Sequence, residues 1–352
     1  MGLNKYTDKQ FKNRQYCHVV YKGYMYAPNY RTAYANNTMK KVCDINNLTH
    51  IALWGPAHEI GHINQIRPGA KWHGMTEVTN NIYCLYVQDA FGLTTRLQKE
   101  TERPTNMYDD CWYERAMTEY FSKGLAHNGN RINHCRLVPF WQLYLYYCKV
   151  KGELDFYKDL YELIRTSPDP NTSGECQLEF VKKACAVAKT DLTPFFEKFG
   201  FLKPIKLEIN DYGKKIFEVT AADIAKTYKE IKDQKYPKLQ VPFWYISDNT
   251  VDLFKNPQPI VVGKAVCKGN TFTMTDWENV VAYEIFQNGK LVFVSPLNRF
   301  TVENVTVDAK TKVYAIGANG KRKKVNFQWT EDPEQQKNMK ERELKYKNMY
   351  NR

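Results

Sequence analysis

The sequence predicts an α+β chain: a small sheet, then a largely helical stretch, then a small all-β sandwich. Three observations carry this. Residues 14–35 alternate apolar and polar positions and are rich in Tyr and Val, as strands are. From about residue 54 to 233 the apolar period is helical. Past Pro237 the helical periods stop and short β-rich runs begin. Two Asn-Gly turns, Asn288-Gly289 and Asn319-Gly320, separate some of these runs, which is a strong hairpin signal.

Taken in order, Gln15–Tyr21 and Tyr24–Tyr34 read as two strands, with Gly23 between them and a break near Pro28–Asn29. Pro56 suits the first turn of a helix running to about Gln65. A second helix begins near Thr76, with Val78, Ile82, Leu85 and Tyr86 on one face. Trp112–Lys123, Leu137–Lys149, Leu154–Ile164 and Gly174–Ala188 follow as helices. A short helix then opens at Thr193-Pro194 and stops at Gly200. Thr220–Asp233 closes the helical part. The β runs are Val241–Ile246, Ile260–Cys267, Val280–Phe286, Leu291–Ser295 and Val313–Ile316, which place a sandwich at about 243–329. The expected division is 1–240, 241–330 and a basic polar tail, 331–352. In the tail, Glu341/Lys345 and Glu343/Lys347 stand at helical spacing.

Composition narrows the function classes. At roughly 100–200 residues per domain, 352 residues suggest two domains. Hydrophobic residues at 43% and aromatics at 14% exclude wholesale disorder. No apolar run reaches the roughly 18–20 residues of a membrane helix. The net charge is +13, but Lys310–Arg352 holds twelve Lys/Arg against five Asp/Glu. More than half of the excess is therefore a charge-dense end, which reads as a solvated tail. No motif joins it to a nucleic-acid function. Nine cysteines without a CxxC pair fit neither a dense disulfide framework nor a Cys-type zinc site, and read mostly as buried free thiols. Met1–Arg14 is polar and lacks the apolar core of a secretory signal.

The chemistry is concentrated in His58-Glu59-Ile60-Gly61-His62. On a helix the two histidines lie one turn apart on one face, so their imidazoles can hold one Zn²⁺, with Glu59 beside it as base. A catalytic zinc needs a third protein ligand and an open position. The HExxHxxGxxH continuation fails, because Gln65 and Pro68 occupy its Gly and His positions. His73 is a second option by proximity. The favoured option is Glu77, in the first turn of the next helix, reached through a loop containing Pro68, Gly69 and Gly74. Asn81, one turn beyond, can accept the other N–H of a ligating histidine. Gln65 falls on the zinc face and is a candidate for substrate contact. Gly61 would let another backbone or substrate approach the helix. The tetrahedral oxyanion needs a donor, for which a Tyr, Arg31 or His73 are candidates.

The run Trp54-Gly55-Pro56-Ala57-His58-Glu59-Ile60-Gly61-His62-Ile63-Asn64-Gln65, followed by Gly74-Met75-Thr76-Glu77-Val78-Thr79-Asn80-Asn81-Ile82-Tyr83, resembles the enhancin-like, mucin-targeting zinc metallopeptidases (peptidase family M60, gluzincins). Gly23-Tyr24-Met25-Tyr26, Leu137-Val138-Pro139-Phe140-Trp141-Gln142-Leu143 and Asp191-Leu192-Thr193-Pro194-Phe195-Phe196 extend the resemblance over roughly residues 20–240. It implies a zincin-like catalytic domain, with His58, His62 and Glu77 as zinc ligands and Glu59 as base. The Tyr24–Tyr34 strand would be the edge on which an extended peptide lies. The region 243–329 would be an appended immunoglobulin-like module. Only 57 residues precede the motif, so the upstream modules of such enzymes are expected to be absent.

The expected function is a secreted or cell-surface metalloendopeptidase cleaving O-glycosylated, mucin-type glycoproteins with one Zn²⁺ per chain. Its alternatives are a zinc peptidase for plain peptides and a catalytically silent glycoprotein binder. Arg31, Trp72, His73, Asn80, Trp112 and Glu114 are of the residue types that hold a sugar. The acidic-aromatic cluster Asp109–Glu114 is the first place to look. The basic excess would then help the protein reach acidic mucins.

Overall fold

The computed structural model describes residues 16–341 except positions 29, 103, 105, 106, 304, 336 and 340. The readings at Met1–Gln15 and Asn29, and the two Glu/Lys pairs of the tail, lie outside the described residues. By its contacts the chain forms two units: Met1–Thr95 with Glu153–Thr193 and Phe201–Lys238, and Arg96–Gly152 with Pro194–Gly200 and Leu239–Arg352. The change of secondary structure near residue 240 is thus not the line along which contacts group.

The first unit opens with Tyr16–Val20 (β1), Met25–Tyr26 (β2) and Arg31–Ala35 (β3). They form one sheet in the order β1-β3-β2, with β1 parallel and β2 antiparallel to β3. The run expected over Tyr24–Tyr34 is divided into β2 and β3 at the break expected near Pro28, where Arg31 N–H donates to the Pro28 carbonyl. β3 is the central strand, and β2 is the edge beside the motif helix. That helix runs Trp54–Asn64 and ends where Gln65 turns extended. Thr76–Thr79 and Asn81–Ala90 follow as two helices rather than one, with non-helical dihedrals at Glu77. Phe156–Thr166 and Ser173–Ala188 come next. The Thr172/Glu175 capping box fixes the start of the second. A hairpin that the sequence reading did not assign, Ile205–Asn210 (β4) with Lys214–Val219 (β5), precedes Ala221–Asp233, whose Thr220/Asp223 capping box is also present.

The second unit carries the helices Trp112–Met117 and Asn133–Leu143, which continue in the wider π winding over Thr118–Ser122 and Tyr144–Val150. Its strands are Lys264–Lys268 (β6), Thr271–Thr275 (β7), Ala282–Gln287 (β8), Lys290–Ser295 (β9), Arg299–Thr301 (β10), Lys312–Ile316 (β11), Arg322–Val325 (β12) and Gln328–Thr330 (β13). They make two four-stranded sheets, β10-β7-β6-β13 and β12-β11-β8-β9. One core joins them, with Phe272, Met274 and Phe300 from the first and Ile285, Phe293 and Val313 from the second. Asn288 and Gly289 both take positive φ in the β8–β9 turn, as an Asn-Gly hairpin requires. The strand expected at Val241–Ile246 is instead a 3₁₀ turn, Phe243–Tyr245. The Gln142 amide takes the Trp244 and Ile246 carbonyls that a neighbouring strand would need, and Phe243 stacks on Tyr146. The sheets are tied to the helices of this unit: Thr118 Oγ1 exchanges hydrogen bonds with the backbone of Val294, and Ser295 Oγ donates to Glu114.

All nine cysteines are free thiols, seven of them buried. No helix among the described residues is long and apolar enough to cross a membrane.

Candidate active site

The motif helix presents His58 and His62 one turn apart with their rings edge to face, centroids 4.6 Å apart. Their Nε2 atoms are 3.1 Å apart, and Glu77 Oε2 lies 3.0 Å from the first and 3.4 Å from the second. One ligand atom from each residue falls within 4.8 Å of the others, a group able to hold a metal ion. The opposite ring nitrogens meet amide oxygens. His58 Nδ1 is 2.7 Å from Asn81 Oδ1, and His62 Nδ1 is 3.2 Å from Gln65 Oε1. An amide oxygen only accepts, so each Nδ1 donates to its amide, and each Nε2 faces the Glu77 carboxylate as the nitrogen that a metal would take in place of a proton. This donor set, two imidazoles and one carboxylate, suits a divalent transition metal.

Backbone geometry makes this convergence possible. Gly61 faces the Asn80 carbonyl so closely that a Cβ would stand 2.3 Å from its oxygen. The helix bearing Asn81 is thereby pressed against the motif helix. Asn81 Nδ2 in turn donates to the Glu77 carbonyl, so one amide fixes both a ligand histidine and the turn carrying the third ligand.

The β4–β5 hairpin supplies the outer side. Tyr212, at its tip, donates from its hydroxyl to Glu77 Oε1 at 2.7 Å. Asp211 Oδ2 accepts from Gly74 N–H, Thr76 N–H and Thr76 Oγ1, which anchors the tip to the turn before Glu77. A cleft of about 910 Å³ opens here, lined by His58, Glu59, His62, Glu77, Tyr212 and Lys71 among others.

The ionisable groups are tuned by these contacts. Burial raises the Glu59 carboxyl above its ordinary range, the direction that suits a base. Burial opposes ionisation of Glu77, but hydrogen bonds from His58, His62 and Tyr212 hold its carboxyl well below the usual range. Burial pulls the His58 imidazole down, yet hydrogen bonds to Glu77 and Asn81 and the Glu77 charge carry it above its ordinary value. The Glu77 hydrogen bond, with burial, pushes the Tyr212 phenol up to about 12, which keeps it a donor.

The remaining expected residues are placed differently. Gln65 is buried behind His62 and donates to Met75 O, Thr76 O and Thr79 Oγ1, so it orients the histidine rather than facing substrate. Asn80 is fully buried, with Nδ2 in contact with both imidazoles. Trp72 is 1% exposed and packs against Phe180, so it offers no open platform. His73 has Nε2 2.8 Å from the Ile209 carbonyl, which fastens the hairpin and removes it as a third ligand. Arg31 lies against the Tyr30 ring on β3 and does not line the cleft. Trp112 and Glu114 are core residues of the second unit. The Trp112 indole donates to Glu100, and Glu114 is fully buried, its carboxyl driven well up by burial. Sequence reasoning missed Tyr212, Asp211 and Lys71. Asn210-Asp211-Tyr212-Gly213 is a turn-type run, a signal that could have located the hairpin tip.

The profile of the family described as peptidase M60, enhancin and enhancin-like, matches residues 1–200, and that of the peptidase M60 C-terminal domain matches residues 264–324. A solved metallopeptidase from Bacteroides thetaiotaomicron shares the fold with a TM-score of 0.70 and 24% identity, over 92% of this chain and 58% of its own. A metallopeptidase solved in complex with Tn antigen gives a TM-score of 0.71 and 24% identity, over 92% of this chain and 64% of its own. TRPM8 channel-associated factor 2 of Homo sapiens is 28% identical over 178 residues, 49% of this chain and 18% of its own length. The chain therefore spans less than two thirds of each of these proteins.

Proposed function

This chain belongs to the peptidase M60 family, enhancin and enhancin-like, and from that premise we propose that it is a zinc-dependent endopeptidase cleaving the polypeptide of O-glycosylated, mucin-type glycoproteins. The observation that carries the reading is the convergence of His58 Nε2, His62 Nε2 and Glu77 Oε2 beside the buried carboxyl of Glu59.

His58, His62 and Glu77 would hold the metal, and zinc suits the set because its tetrahedral sites take nitrogen and carboxylate oxygen and leave a position open. When bound, zinc lowers the pKa of a coordinated water from about 15.7 to about 7 and polarises a scissile carbonyl. Asn81 and Gln65 hold the imidazoles in the ligating tautomer. Glu59 takes the proton of the attacking water and delivers it to the leaving nitrogen. Of the oxyanion donors weighed from sequence, Arg31 lies off the cleft, and of the two tyrosines that line it, Tyr26 and Tyr212, the second is assigned the role because its hydroxyl reaches the ligand Glu77. An extended peptide would add to β2, the free edge beside the motif helix.

The glycoprotein substrate is supported by the related metallopeptidase solved with Tn antigen. The sandwich of the second unit is read as an immunoglobulin-like accessory module, and the protein as extracellular or surface-bound. Cleavage of a mucin-type glycopeptide and its deglycosylated twin tests the function. Cutting of the glycopeptide alone is expected. Equal cutting of both removes the glycan requirement, and cutting of neither leaves only a binding protein.

A further inference from the structure

Lys71 sits in the loop between the motif helix and Glu77, and its backbone is fixed on both sides. Its N–H donates to the Ile66 and Pro68 carbonyls. The neighbouring Ala70 carbonyl accepts from Thr79 Oγ1 at 2.9 Å, and Gly69 lies where a Cβ would strike Ile164. The side chain is half-buried and lines the cleft that holds His58, Glu59, His62 and Glu77, together with Arg67 and Lys215. Yet among the described residues Lys71 makes no side-chain hydrogen bond and no ion pair.

The two carboxylates that act on it are engaged elsewhere. Asp211 Oδ2 is taken by Gly74 and Thr76, and Glu77 by the two histidines and Tyr212. Burial, and then the Arg67 charge, bring the Lys71 ammonium down to about 8. A desolvated cation without its own counter-ion is costly unless a ligand supplies one. Here the cation is held in a substrate cleft by a loop with little freedom.

We propose that Lys71 forms an anion subsite beside the metal-binding triad and takes a carboxylate of the substrate. The carboxylate would come from an acidic residue next to the glycosylated one or from an acidic sugar of the glycan. The proposal rests on the peptidase reading above and gives that site a preference for charge. A charge-assisted pair of this kind makes the acidic substrate about tenfold tighter.

The test uses zinc-loaded wild type, Lys71→Gln and Lys71→Arg with three matched O-glycopeptides. One has a neutral peptide and glycan, one adds an acidic terminal sugar, and one carries Glu for Gln beside the glycosylated residue. In wild type, KM for one of the two acidic substrates should be about tenfold below the neutral one, and which one identifies the source. That ratio should fall to near one in Lys71→Gln and largely return in Lys71→Arg. In wild type alone it should shrink as salt is raised, a readout that needs no variant to fold. An acid preference absent from wild type, unchanged in Lys71→Gln or insensitive to salt overturns the subsite. Equal KM for all three overturns it while the peptidase reading stands. Cleavage of none by the zinc-loaded protein overturns both.

Discussion

The two sides of the cleft are built differently. The inner side is two helices in close contact, and each donor on it is fixed by a neighbour: His58 by Asn81, His62 by Gln65, and the Glu77 turn by Asn81. The outer side is a two-stranded hairpin whose tip residue, Tyr212, is 84% exposed and reaches Glu77 through one hydrogen bond. The difference teaches a division of labour. Rigid helices suit metal geometry, which tolerates little displacement, whereas an exposed hairpin suits contact with the reacting carbonyl and the substrate.

The sharpest way to break this picture is at the base. Glu59→Gln should cost roughly 10³-fold in turnover while metal content is kept, as measured by elemental analysis beside a kinetic assay. Loss of the metal in that variant would make Glu59 part of the holding side instead. Asn81→Ala should weaken zinc affinity by about 10–100-fold in a competition titration, because it frees both a ligand imidazole and the Glu77 turn. Gly61→Ala should destabilise the protein by about 2 kcal/mol in denaturant unfolding, since its methyl would meet the Asn80 carbonyl.

The outer side should respond more weakly. Tyr212→Phe should lower kcat by at least about tenfold and change zinc affinity less than Asn81→Ala does. A larger effect on zinc than on kcat would make Tyr212 a positioning residue for Glu77. The smallest effect concerns pH. Lys71, facing Arg67, Asp211 and Glu77, is charged below about 8 and loses its proton above it. Any preference for acidic substrates should therefore be full near neutrality and fade as pH rises through that value.

What the sequence shows of this site follows the same division. His58, Glu59 and His62 stand out because helical spacing puts the two histidines on one face with Glu59 beside them, and Glu77 and Asn81 because they stand one turn apart in the next expected helix. Gln65 is on the expected face, yet local spacing does not say whether a polar side chain points into a cleft or into a neighbour's backbone. Tyr212 meets Glu77 across 135 residues, and no local period encodes that meeting. Trp72 and Trp112 show the converse limit. Aromatic and acidic residues suited to a sugar are equally suited to a core, and burial decides between the two. The fold divides likewise. The helix start at Thr220 and the Asn288-Gly289 turn are local and legible. The 3₁₀ turn at Phe243–Tyr245 is not, because its carbonyls are claimed by Gln142.

Metal-dependent cleavage underlies every role assigned to these residues. Its most direct measurement is the zinc content of the purified chain together with cleavage of a mucin-type glycopeptide, before chelation, after it, and after zinc is returned. One zinc per chain is predicted, with activity lost on chelation and recovered on addition. Cleavage that persists after the zinc has been stripped would contradict it.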